Sequence, residues 1–366
     1  MEKLENIDVI SFITLISINN MILFTTQALI RTSSSASLIT ACILSILAII
    51  ISLILCFLAK NFQGRNFLHV SEFLGGKFFK FIIGILFVAY FTFRTSLSLK
   101  KISDCLQIIY YPMTNVLFIA LLFCIAAGIS LFLDNNSIFK TASFILPILF
   151  ATSILIFIGN SKNFNYENIF PVLGNGIKTT FIDGLSNIYV FQGLAYVIFL
   201  PDKLKKPKDL VKITIISIVI SSIFLIFSCG NILFLFNENF TNSEFLPLYV
   251  SVQCIEFGTF FQRLDSMFLL LCILGFAPIF CLNVYIVVDI IKNITNISND
   301  KPLVFPYLLT IFSLTMCYKL NSTILFLENS LYKILFLVFG IIIPFLILSL
   351  ANIKRKIIGG MKWNLL

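Results

Sequence analysis

Apolar runs about 20 residues long, the length needed to cross the hydrocarbon of a bilayer, recur through this chain from its first span to its last. They fall at roughly residues 7–30, 36–59, 78–109, 116–133, 138–158, 177–200, 210–236, 262–291, 303–318 and 331–353. In hydrocarbon every backbone polar group must be satisfied inside the protein, so such runs form helices packed as a bundle. With 59% hydrophobic and 12% charged residues, the connections leave no room for a large soluble domain. The expectation is an all-α polytopic membrane protein, one integral membrane domain of about ten helices over residues 1–366.

The net charge of +9 would suit nucleic acid if it lay on one soluble surface. It lies instead in short loops that gather on one side when loops are assigned alternately. That side receives Lys60, Arg65, the cluster Lys203, Lys205, Lys206 and Lys208, and Lys354 to Lys356. The other receives Arg31, Lys162, Lys178, Arg263, Lys319 and Lys333. The positive-inside rule then places both termini in the cytoplasm, with membrane lipid and not nucleic acid as the partner of the charge. The lysine cluster is expected to contact anionic lipid or an acidic cytosolic domain of a partner. The start, MEKLENID, lacks the basic n-region of a signal peptide, so the first span is expected to remain.

Nine cysteines lie singly, without metal-like spacing, and the one histidine, His69, falls in a polar connection. Neither a metal, a cofactor nor an enzymatic nucleophile and base is indicated.

Two spans have polar centres. The first carries SINN, Ser17 to Asn20, and the sixth carries Asp183, Gly184, Ser186, Asn187, Gln192 and Gly193. Either they are discontinuous helices, the usual pointer to a small-ligand site, or continuous helices whose small residues pack against neighbours. On the first reading, helix ends at Ser17, Asn19, Asn20 and at Tyr189, Phe191, Gln192 and Gly193 offer backbone donors and acceptors to a zwitterion. Tyr90 and Phe91 in the third span and Phe276 and Phe280 in the eighth are candidate walls. Arg94 is a charge at membrane depth and needs a partner, as a structural ion pair or by snorkelling. Lys100 and Asp104 are spaced to pair along the same helix. The stretch before Gly75-Gly76 suits a short interfacial helix stopped by those glycines.

Polar centres five spans apart are where an inverted repeat of five plus five helices puts equivalent positions, and this arrangement resembles the amino acid-polyamine-organocation transporter superfamily. PVLGNGIKTTFIDGLSNIYVFQGLAYVIFLPDKLKKP resembles the sixth-helix region of the spore germination permease-like family, the B subunits of nutrient germinant receptors. IEFGTFFQRLDSMFLL resembles that family's entry into helix eight, here carried by Gly258, Phe260, Phe261, Arg263 and Asp265, and LQIIYYPMTN fits its break after helix three. Where the fold usually has glycine and proline in helix one, this chain has SINN and TTQ.

The resemblance implies a non-enzymatic subunit that binds a small nutrient germinant, such as an amino acid, and signals through an A-type membrane subunit and a C-type lipoprotein subunit in the spore inner membrane. An amino-acid permease coupled to protons or sodium shares the fold and is the alternative. Arg263 and Asp265, two apart on a helix, cannot face each other and are expected to be architectural.

Overall fold

The computed structural model describes the chain apart from residues 1–2, 63, 134, 175, 238–239, 242–243, 245, 258–260, 263–264, 319–330 and 358–366. α1 (Asn6–Asn20) passes through a π turn (Met21–Thr25) into α2 (Thr26–Ser33). α3 (Ser37–Ala59), α4 (Phe67–Ile109), α5 (Val116–Leu133) and α6 (Asn135–Asn160) follow. The sixth span is assembled from a π turn (Thr179–Asp183), a 3-10 helix (Leu185–Phe191) and the short α7 (Leu194–Val197). Then come α8 (Leu210–Leu235), α9 (Pro247–Gln253), α10 (Asp265–Thr295), α11 (Lys301–Cys317), α12 (Lys333–Phe336) and α13 (Ile343–Ile357). A further π turn (Leu337–Ile342) joins the last two helices. Two-residue strands, β1 (Glu256–Phe257) and β2 (Phe261–Gln262), pair antiparallel just ahead of α10.

Seven helices among the described residues are long and apolar enough to cross a membrane. α11 is equally apolar in character but only 17 residues long. α1 is 15 residues long and the sixth span is divided into pieces of five, seven and four residues, so neither is in that count.

Position in the bundle follows from which faces are apolar. α1 is buried nearly all round, its polar Ser11, Thr14, Ser17, Asn19 and Asn20 included, and a helix with no lipid face belongs at the centre. It lies between α6 and α8, while α10 runs along α4 and α6, and α3 along α8. α5, α6 and α13 present Ile, Leu and Phe side chains outward, as lipid requires. α1 is started by a capping box in which Glu5 and Asp8 satisfy each other's backbone donors. Asp8 also accepts a hydrogen bond from Ser143 of α6 at 2.9 Å.

The interfacial helix expected before Gly75-Gly76 ends there in the structure. Gly76 has φ of 79°, a left-handed conformation that costs a residue with a Cβ but not glycine, and α4 changes direction at it. Lys100 and Asp104 pair at 2.7 Å.

Candidate functional site

Both polar centres break from α-helix without losing right-handed backbone, the first at a π turn and the sixth through a π turn, a 3-10 helix and the turn at Gln192–Gly193. Asn20 and Thr26, on either side of the first π turn, keep right-handed helical backbone, and so do Gln192 and Gly193. A π turn adds one residue to a turn and rotates everything beyond it, so the interruption is one of register. These breaks bring together the Gly193 N–H and the side chains of Ser17, Asn20 and Gln192.

Glycine allows the two segments to touch. A Cβ on Gly193 would lie 2.5 Å from the Ile13 carbonyl oxygen, and the Gly193 N–H donates to Ser17 Oγ at 3.3 Å. One residue earlier, Gln192 Oε1 accepts from Asn20 Nδ2 at 2.6 Å and from Arg94 Nε at 2.6 Å. Arg94 also donates to the Tyr196 hydroxyl, which in turn donates to Asn283 Oδ1 at 2.7 Å. Four segments, α1, α4, the sixth span and α10, thus meet in one chain of hydrogen bonds.

Arg94 is buried, with 2% of its surface exposed. The partner expected for it was a carboxylate or the interface. Its partners are instead the neutral oxygens of Gln192 and Tyr196, with its guanidinium carbon 5.1 Å from the Tyr196 ring centre, and no described carboxylate forms an ion pair with it. Asn20, Arg94, Lys101, Gln192 and Tyr332 line a void of about 10 Å³, which is about what one water needs. In this conformation the cluster is closed.

The remaining candidates are placed around it. Phe91 packs 4.6 Å from the Tyr196 ring. Tyr90 stacks on Phe339 of the last π turn at 5.0 Å and 12°. Tyr189 meets Tyr332 edge-on at 5.6 Å, and Phe191 is buried in the core. Asn19 turns toward Gly275 of α10. Phe276 and Phe280 stack on each other at 5.6 Å, and Phe276 meets Phe123 of α5; the α10 residue bonded into the cluster is Asn283. Tyr196, Asn283 and Tyr332 were not anticipated, although Tyr196 lies one helical turn beyond Gln192 and Asn283 is an amide in an apolar run. Arg263 lies outside the described residues, and Asp265 is the first residue of α10.

A second constellation closes the basic end of the bundle. Leu4 and Leu204 form a parallel β-bridge in which Leu4 N–H donates to the Lys203 carbonyl at 2.8 Å and Lys205 N–H to the Leu4 carbonyl at 3.0 Å. Lys203 Nζ pairs with Asp289 Oδ2 at 2.8 Å and donates to Tyr285 Oη at 3.2 Å. Burial pulls the Lys203 pKa down, but Tyr285, Asp289 and Asp202 outweigh it and hold the amine well above its ordinary value. Lys205 pairs with Glu5 at 2.9 Å in the open. The four lysines differ in setting. Lys203 is turned inward on a carboxylate and Lys205 is engaged by α1, which leaves Lys206 and Lys208 exposed.

Residues 3–324 match the family model for spore germination proteins, the spore permeases. The chain belongs to this family. Among its relatives in Bacillus subtilis (strain 168), spore germination protein A2 is 23% identical over 285 residues, covering 77% of each chain. Spore germination protein YndE is 24% identical over 343 residues, covering 89% of this chain and 90% of its own. Among solved structures, a Na+-coupled sialic acid symporter in a substrate-bound outward-open state superposes with a TM-score of 0.64 at 13% identity, over 91% of this chain and 78% of the symporter. The fold seen here is thus that of the Na+-coupled symporter, as the resemblance to the transporter superfamily implies.

Proposed function

We propose that this chain is the multi-pass subunit of a spore germinant receptor and that it binds a small nutrient through the Asn20–Arg94–Gln192 cluster. The observation that carries the reading is Arg94. A guanidinium taken out of water costs free energy unless a counter-charge meets it, and among the described residues only neutral oxygens do so. A carboxylate, as an amino acid has, would supply that charge and match the planar fork of donors. A carboxylate that takes over the place of Gln192 Oε1 on Arg94 also releases Asn20 of α1. Ligand binding and a shift of α1 against the sixth span are then one event.

The family resemblance supports an A-type membrane subunit and a C-type lipoprotein as recipients of that shift, in the spore inner membrane with both termini cytoplasmic. The symporter fold supports a second reading, an amino-acid permease with the same cluster. The test is equilibrium binding of labelled amino acids to the purified chain in nanodiscs, with vesicle uptake and germination of spores carrying the variants. Arg94→Gln is expected to abolish binding and germination while Arg94→Lys keeps a weakened response. Unchanged affinity in Arg94→Gln would remove the cluster from the ligand site. Uptake into vesicles, with no germination defect on deletion, would give the chain to the permease reading.

A further inference from the structure

Away from the cluster, at the basic end of the bundle, the surface carries a groove of about 630 Å³ between the end of α3, the Pro201–Pro207 turn and α13. Its wall on α3 is apolar and uncovered: Leu53 and Ile54 are about two-fifths exposed and Phe57 is 71% exposed, with Phe345 of α13 opposite at 44%. Its mouth is basic, formed by Lys60 at the end of α3 and Lys208 just before α8. We infer that this groove binds an anionic phospholipid of the leaflet on the basic side, with one acyl chain along Leu53, Ile54 and Phe57 and the phosphate between Lys60 and Lys208.

Three features favour that occupant. The apolar wall starts next to the cations and runs toward the membrane interior for the seven residues from Lys60 back to Leu53, a rise of ~10 Å at 1.5 Å per residue, which is the order in which a lipid presents its headgroup and chain. The charge complements a phosphate, and no carboxylate is among the lining residues. The exposed α3 stripe continues beyond the groove through Ile50 and Ile46, so an acyl chain has an unbroken apolar track of ~16 Å from Phe57 to Ile46 at 1.5 Å per residue. The site has a mechanical setting as well. Lys208 is four residues beyond Leu204, so a lipid held there braces the same turn that clasps Leu4.

The test uses the full chain in nanodiscs of phosphatidylcholine with or without phosphatidylglycerol, followed by native mass spectrometry of the lipid that stays bound on release. A basic residue near an anionic headgroup is worth about fivefold in occupancy, so Lys60→Gln with Lys208→Gln is expected to retain phosphatidylglycerol about thirtyfold less well. The exposed pair Lys77→Gln with Lys356→Gln is expected to retain it as wild type does. Leu53→Trp with Ile54→Trp fills the groove without touching charge and is expected to lose the lipid too, while melting in pure phosphatidylcholine stays at the wild-type temperature for every variant. Glycerol 3-phosphate, the headgroup without chains, is expected not to compete. Equal retention of the two lipids by wild type, equal loss in the control pair, or competition by glycerol 3-phosphate would overturn the inference. So would a groove variant that keeps its lipid but no longer co-purifies with another receptor subunit, which would give the groove to a protein.

Discussion

Removing Asp289 should unfasten the basic end of the bundle, and the size of the effect can be worked from the contact. At 2.8 Å the Coulomb attraction to Lys203 is roughly 6 kcal/mol at an effective dielectric constant near 20, and the cost of desolvating both groups takes back much of it. What remains asymmetric is the single truncation. Asp289→Ala leaves a lysine whose side chain is 10% exposed with the Tyr285 hydroxyl and the neighbouring Asp202 carboxylate as its remaining partners, so the loss falls toward the lower end of the about 3–5 kcal/mol that breaking one side of a buried pair typically costs. Asp289→Leu combined with Lys203→Met, which removes both charges, should recover most of that loss. Equilibrium unfolding in mixed micelles of Asp289→Leu, Lys203→Met and the double variant closes a double-mutant cycle. Since the folded-state pKa of Lys203 is raised, its contribution is complete below the unfolded value near about 10.4 and fades only as pH rises through the higher folded value. The cycle should therefore read the same at pH 6 and pH 8. Additive single effects, with a coupling under about 0.5 kcal/mol, would refute the reasoning.

Three further outcomes follow from the same contacts. Gly193→Ala places a methyl 2.5 Å from the Ile13 carbonyl, and overpacking of that kind costs about 1–3 kcal/mol; lowered thermal stability with lost ligand binding is expected. Gln192→Glu puts a carboxylate where an amide oxygen now meets Arg94 at 2.6 Å, so melting temperature should rise while affinity for a carboxylate ligand falls at least about tenfold, given the ~1.5–3 kcal/mol of a charged hydrogen bond. Glu5→Gln removes the exposed partner of Lys205 and should leave the melting temperature unchanged, because exposed ion pairs contribute little.

How much of this could be read beforehand depends on the range of the interaction involved. Hydropathy is local, so the all-helical membrane bundle, the break at Gly76 and the pairing of Lys100 with Asp104 were legible. Ser17, Asn20 and Gln192 stood out because a polar side chain is expensive in an apolar run and Gly193 because it interrupts one, and the structure pairs Ser17 with Gly193 and Asn20 with Gln192. Their mode of contact was not legible: a π turn changes hydrogen bonding from one register to another without altering composition, and nothing in MILFT distinguishes it from α-helix. The fate of Lys203 was equally hidden. Its partners Tyr285 and Asp289 lie more than 80 positions away, and in the sequence it is indistinguishable from Lys206 and Lys208, which face outward. Arg94 was conspicuous, but an arginine at membrane depth suggests a carboxylate, and only the fold reveals amide and phenol oxygens.

The two closures flank the cluster, and this explains where a shift at Asn20 can go. Beyond the π turn, α2 is tied to the loop after α8: Gln27 donates to the Thr241 carbonyl at 3.2 Å and to the Glu244 carbonyl, and Arg31 donates to Glu244 at 3.4 Å. Before it, α1 is uninterrupted α-helix from Asn6 to Asn20, a rod of ~22 Å at 1.5 Å per residue, and its foot is the Leu4–Leu204 bridge. A π turn is a weak point in a helix, whereas fifteen regular residues move together. On the proposed function, a ligand that releases Asn20 from Gln192 therefore meets a compliant joint toward α2 and a stiff lever toward Leu4. It shifts the equilibrium only by its differential affinity for the two arrangements, and that difference is delivered at the basic end, where the bridge holds two backbone hydrogen bonds and Lys205 lends an exposed ion pair. The strong element there, Lys203 on Asp289, belongs to the sixth span and α10 and not to α1, so the rod can leave its clasp while the sixth span stays anchored.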